Sequence, residues 1–117
     1  MTPSSADMVY RMVAKLADVV QDYPLRVRVE GRDIALFNLN GQIFATDNIC
    51  SHEYASLADG VVDGETVECP LHGACFEIRT GRALTPPASV DIKTYGVQIK
   101  DGDILVGLPD EPRSGEA

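Results

Sequence analysis

A chain of 117 residues, 44% apolar and 24% charged, is long enough for one compact domain and too short for two ordinary ones. Its net charge of −8, from 10 basic and 18 acidic residues, argues against a nucleic-acid partner, which needs a basic footprint. No stretch approaches the ~20 apolar residues of a membrane helix, and Arg11 and Lys15 interrupt the N-terminal region before any signal-like apolar run. The chain is therefore read as cytoplasmic, with no membrane partner.

In chain order, residues 1–7, with Pro3, Ser4 and Ser5, read as a flexible start. The segment 9–20 is ambiguous: Val9, Val13, Leu16 and Val20 fit a helical stripe, yet residues 10–13 fit a strand equally well. Leu25, Val27 and Val29 then alternate with Arg26, Arg28 and Glu30, the period of a half-buried strand. Strands over 34–38 and 42–46 flank Asn40-Gly41, a strong hairpin signal. Further turn signals fall at Asp63-Gly64, Thr80-Gly81 and Asp101-Gly102, and residues 76–78 read as strand. Ile92, Thr94, Val97 and Ile99, then residues 104–108, supply two more strands before a flexible acidic end at 109–117. The class is mainly β, a small barrel or sandwich.

Three cysteines, an odd number, do not make a disulfide framework. The chain has two histidines, each within three residues of a cysteine. The pattern is Cys50-Ser51-His52, sixteen intervening residues, then Cys69-Pro70-Leu71-His72. Each half is a short loop carrying one thiolate and one imidazole, so two such loops can close on a metal centre from opposite sides. If the thiolates share one iron and the imidazoles the other, the centre is a Rieske [2Fe–2S] cluster. A Cys2His2 zinc site uses the same donors, but zinc modules usually pair like ligands at spacings of C-x2–4-C and H-x3–5-H. The plainest alternative is four unconnected packing or surface residues.

The two boxes, the second continuing into Gly73, resemble those of the Rieske family. From about residue 10 to 108 the chain resembles the ferredoxin components of bacterial aromatic-ring-hydroxylating dioxygenase systems. The resemblance implies an antiparallel β base, about 8–46 and 80–108, with a cluster-binding subdomain inserted at about 47–79. It also makes any helix within 9–20 at best partial. It implies a one-electron carrier with one cluster per chain, working between a flavin-dependent, NAD(P)H-oxidising ferredoxin reductase and a terminal oxygenase. No dinucleotide or flavin motif is present, so the chain itself oxidises no NAD(P)H and meets no organic substrate. Catalysis is excluded on the same residues: a non-haem oxygenase iron needs two further histidines and a carboxylate, and both histidines are committed. Service as a small subunit of a nitrite-reductase-like complex, or as a zinc-stabilised interaction module, are the competing readings.

The boxes also carry an expectation about potential. Two neutral imidazoles replace two thiolates, so an added electron meets less negative charge than in a four-Cys cluster, and Rieske potentials span about −150 to +300 mV. High-potential members of the family carry an extra disulfide and two hydroxyl donors beside the cluster; the matching positions here are Ala55, Leu71, Ala74 and Phe76. Between residues 47 and 77 there are seven acids (Asp47, Glu53, Asp59, Asp63, Glu65, Glu68, Glu77) and no Lys or Arg. Both features point to the low end of the range, and the acids are read as steering the carrier to basic patches on its partners, the alternative being a solvated face. Cys75 reads as a small buried hydrophobe in preference to a redox or fifth-ligand thiol, and Gly60 and Gly73 as turn residues near the cluster. Pro86-Pro87 reads either as the proline loop that the resemblance implies over the cluster or as a plain connector, and Pro70 as a restraint holding Cys69 extended.

Overall fold

A computed structural model describes residues 8–49, 55–70, 74–84 and 91–109. Among the described residues, ten strands form three antiparallel sheets: β1 (Met8–Lys15), β2 (Leu25–Val29), β3 (Arg32–Leu39), β4 (Gln42–Asp47), β5 (Val61–Asp63), β6 (Thr66–Glu68), β7 (Cys75–Glu77), β8 (Thr94–Tyr95), β9 (Val97–Lys100) and β10 (Asp103–Pro109). The sheet orders are β1-β10-β9, β2-β3-β4-β8 and β5-β6-β7. The mainly-β expectation holds. Among the described residues the helical content is two 3-10 turns, Leu16–Asp18 and Leu57–Asp59, and no helix is long and apolar enough to cross a membrane.

The ambiguous N-terminal segment is a strand as far as Lys15. It pairs with β10 from Met8↔Pro109 to Lys15↔Asp103, and the register shifts between Met12 and Ala14. That bulge turns both Val13 and Ala14 onto the core, which explains why the spacing of apolar residues imitates a helical stripe. Cross-strand pairing along the whole element decides the conformation.

Three hairpins turn through paired residues in the left-handed region: Glu30-Gly31 (φ 52° and 80°), Asn40-Gly41 (56° and 90°) and Asp101-Gly102 (52° and 82°). Positive φ at both central residues matches the twist of the flanking strands, and a glycine second lowers the strain. The segment expected as one strand over 92–99 is two. β8 pairs with β4 and β9 with β10, so the chain changes sheets at Gly96. A Cβ there would lie 2.6 Å from the Tyr10 hydroxyl oxygen, so a larger residue would have to displace the tip of that ring. The final strand runs through Pro109, one residue into the expected tail.

β3 organises the interior. Ile34 and Leu36 face one core with Ile43, Ala45, Tyr95, Ile104, Val106 and Leu108. Ala35, Phe37 and Leu39 face a second core with Leu57, Val67, Cys69, Ala74, Phe76 and Ile78. A strand buried on both faces reads as a continuous apolar run, as 34–37 does. Each fully buried Phe, Ile or Leu contributes about 1.5–3 kcal/mol. The second core is where the base meets the β5-β6-β7 sheet. Arg79 ties the same seam from outside, with its guanidinium 4.8 Å from the Phe44 ring centre and paired to Glu65 at 2.8 Å.

Candidate metal centre

Of the four expected ligands the structure describes Cys69; Cys50, His52 and His72 lie outside the described residues, as do Gly73 and Pro86-Pro87. The stems that carry both boxes are described.

The first box leaves the end of β4. Asp47 is fixed there from two sides. Its N–H donates to Lys93 O at 2.8 Å, and its carboxylate accepts from the Tyr95 hydroxyl at 2.5 Å. Burial, and next the bond to Asp47, push the Tyr95 phenol up to about 12, with Arg32 acting in the opposite direction. Asn48 follows, with no solvent exposure and every polar group engaged. Its N–H donates to Asp33 O at 2.9 Å and its carbonyl accepts from Leu57 N–H at 2.7 Å. Its side-chain oxygen accepts from Ala58 N–H at 2.9 Å. Its side-chain nitrogen donates to Ser56 Oγ at 2.9 Å and to Asp33 Oδ1 at 3.2 Å. A bridge between Ile49 and Ser56 then closes the stem around the first box. One asparagine thus binds the chain before the loop to the chain after it, and both to β3.

Asp33 is held in turn. Arg26 grips it with two bonds, Nε at 2.8 Å and Nη2 at 2.7 Å. The Arg26 bond is the main reason its carboxyl is lowered from its ordinary value; partial burial works the other way, and Arg28 and Asn48 add to the lowering. Outside this stem lies a cleft of about 370 Å3 whose lining includes Arg26, Arg28, Arg32, Asp33, Asp47 and Tyr95.

The second box is the loop between β6 and β7. Glu68 pairs with Cys75, and Cys69 N–H donates to Ala74 O at 2.7 Å, so the loop opens and closes on a hydrogen-bonded stem. Cys69 is 1% exposed, in the core that holds Leu57, Val67, Ala74 and Phe76, against which Ala55 also packs. The ends of both box loops therefore share one apolar cluster, which brings the boxes together. Gly60 serves this packing by close approach and not by a turn conformation: a Cβ there would lie 2.2 Å from the Glu68 carbonyl oxygen. Cys75 is half-buried in β7, less enclosed than expected.

The donor set fits an iron–sulfur centre. The sequence places one sulfur and one imidazole donor in each short loop, the donor set of a Rieske centre, and the described stems of both loops adjoin one apolar cluster. Ala74 and Phe76 are fully buried and offer the cluster side no hydroxyl. The acidic stretch is less of a free field than its count suggests. Asp47 accepts from Tyr95 and Glu65 is paired with Arg79, while Asp59, Asp63 and Glu68 stay exposed.

Asn48, Asp33, Tyr95 and the three arginines have no role in the sequence-based expectation. Arg26 and Arg28 show there only as the polar phase of β2. A hint exists for Asn48, an amide directly before an apolar residue and an expected ligand cysteine, but its partners are tertiary.

These stems, the mixed donor set and the two-core fold belong to one class, and the chain is a member of the Rieske [2Fe–2S] domain family, whose model matches residues 9–96. It is similar to the ferredoxin component of the naphthalene 1,2-dioxygenase system of Pseudomonas putida, 42% identical over 80% of this chain and 89% of that one. It is similar in structure to the Sphingomonas yanoikuyae B1 ferredoxin, with a TM-score of 0.83 and 39% identity over 86% of this chain and 100% of that one. A chain in the complex of reduced oxygenase and oxidised ferredoxin in carbazole 1,9a-dioxygenase gives a TM-score of 0.77 at 33% identity, over 82% of this chain and 99% of that one. The cofactor is a Rieske-type [2Fe–2S] cluster, and the protein is an electron carrier and not itself a catalyst.

Proposed function

We propose that Cys50 and Cys69 bind one iron and His52 and His72 the other, and that the chain passes single electrons from a flavin-dependent, NAD(P)H-oxidising reductase to a terminal ring-hydroxylating oxygenase in the cytoplasm. The cluster, when bound, takes up one electron and gives it back. The observation that carries the ligand set is the pair of closed stems, Ile49–Ser56 and Cys69–Ala74, rooted in one apolar core. On this reading residues 47–79 form the cluster-binding part and the rest its base. Asn48 holds the first box in register with β3, Cys69 anchors the second, and the buried wall around Leu57 and Phe76 keeps water from the sulfur side. The similarity to dioxygenase ferredoxins supports the order of partners.

Iron and sulfide analysis with EPR of the dithionite-reduced protein tests the assignment. Two irons and two sulfides per chain with a Rieske signal are expected, together with a midpoint in the lower part of the range of about −150 to +300 mV. Cys69→Ser and His52→Ala each abolish the signal. Cluster retained at wild-type content in either variant overturns the ligand set, and a midpoint above about +100 mV overturns the low-potential assignment.

A further inference from the structure

Beside the second core the base and the β5 strand leave a groove of about 410 Å3, walled by Asp22, Tyr23 and Pro24 on one side and residues 58–62 on the other. Tyr23 is 74% exposed, Val61 63% and Val20 54%, the three most exposed large apolar side chains among the described residues. Isolated exposed apolar residues need no explanation, but Tyr23 and Val61, the two most exposed, line the same groove, and Val20 lies in the turn that carries Tyr23, a grouping of the kind that marks an interaction site.

The patch is built rigidly. The turn that carries Tyr23 closes through Tyr23 N–H to Val20 O at 3.0 Å, and it places Asp22 at φ 68°, in the left-handed region. The β3–β4 hairpin clamps it: Asn38 Nδ2 donates to Val19 O at 2.9 Å, and Asn40 N–H donates to Gln21 Oε1 at 2.6 Å. With the backbone of the turn held this firmly, contact has only the Tyr23 side chain left to order, and tyrosine is a common interface anchor. The opposite wall adjoins the second box. Val61 is the cross-strand partner of Glu68, the residue before Cys69, so the groove lies about one strand spacing, ~5 Å, from the ligand's own strand.

Charge selects the occupant. Asp22 and Asp59 rim the groove and no basic residue lines it. A second copy of a chain carrying −8 is repelled from such a rim. We propose that this groove is a docking face for an electron-transfer partner that presents an apolar side chain flanked by Lys or Arg. The proposal rests on the electron-carrier reading and adds to it the place and chemistry of one contact.

The test uses the holo-ferredoxin with the reductase that reduces it and the oxygenase that it reduces. Tyr23→Ala and Val61→Ser are expected to raise the Kd for one of these partners about tenfold, the effect of losing an interface anchor. Asp22→Asn combined with Asp59→Asn should flatten the salt dependence of the same encounter. EPR signal and midpoint stay at wild-type values in every variant, because none of these residues is one of the proposed ligands. Kd values within twofold of wild type for both partners overturn the proposal. So does a concentration-dependent dimer that Tyr23→Ala abolishes, which gives the groove to a second copy. Failure of the carrier reading is a different result: the wild type itself would then give no Rieske signal.

Discussion

Asn48 shows how much one side chain can position. It is fully buried and joins Asp33, Ser56, Leu57 and Ala58, so removing its amide strands groups on both sides of the first box. Each buried group left unpaired costs about 1–3 kcal/mol. Asn48→Ala should therefore destabilise the fold by about 2–4 kcal/mol and speed iron loss to a chelator at least about tenfold, as loss of an outer support commonly does. Ser56→Ala breaks one arm, so about 1 kcal/mol and a smaller rise in iron loss are expected. Urea unfolding and iron release on the same samples decide this. Iron release at the wild-type rate in both variants would show that the amide holds the fold and not the metal loop.

Tyr95 makes a pH prediction at the same scale. Its folded value of about 12 lies above the ordinary value of 10.0, so the folded state holds the phenol proton more tightly than the unfolded chain does. The resulting stability is fully present below pH 10 and is lost as pH rises through 10 toward 12. Tyr95→Phe removes the bond to Asp47 and should cost about 1 kcal/mol at neutral pH. Across that alkaline window the gap between variant and wild type should shrink. A gap constant with pH would mean that the phenol is not the titrating group.

At the scale of elements, glycine allows two backbone segments to approach closely. Gly81 has φ 78°, its N–H donates to Glu77 O at 2.7 Å, and its carbonyl accepts from Ile92 N–H at 2.8 Å, joining the end of β7 to the approach to β8. A Cβ there would lie 2.1 Å from the Ile92 carbonyl oxygen. Gly81→Ala should cost about 3 kcal/mol, from backbone strain and displaced packing together. The same change at Gly31, where φ is 80° but open space surrounds the position, should cost only the strain, about 1 kcal/mol. Melting curves of the pair separate close approach from turn geometry. The contrast also shows what a sequence can carry. Thr80-Gly81 and Asn40-Gly41 read alike as turns, because local chemistry writes the φ requirement into the residue type. That Gly81 and Gly96 meet distant chain is tertiary and leaves no local mark. The alternation of 25–29 was legible for the first reason, and the Val13 bulge and the change of sheets at Gly96 were not, for the second. At the site, the two boxes stand out because ligation needs unlike donors at fixed short spacings, whereas Asn48, Asp33 and Tyr95 act through partners remote in sequence.

Over the whole molecule, charge is sorted more finely than a net −8 suggests. The acids between residues 47 and 77 read as one negative field, yet folding gives Asp47 to Tyr95 and Glu65 to Arg79. It also brings Arg26, Arg28 and Arg32 to the outer side of the first box's stem. Exposed acids remain on the β5–β6 side, at Asp59, Asp63 and Glu68. The molecule therefore offers an acidic flank beside the second box and a mixed, arginine-bearing flank beside the first. A basic partner approaching the acidic flank is steered over about one Debye length, which shrinks from about 30 Å at 0.01 M salt to about 8 Å at 0.15 M. The second-order rate of electron transfer should fall across that range by roughly tenfold, within the reach of electrostatic steering. Asp63→Asn with Glu68→Gln should lower the low-salt rate and flatten the curve, whereas Arg28→Gln should raise it, since Arg28 repels the same partner. Stopped-flow reduction across ionic strength tests all three. If Arg28→Gln instead slows the reaction and the acid variants do not, the partner approaches the arginine-bearing flank and its own surface is acidic.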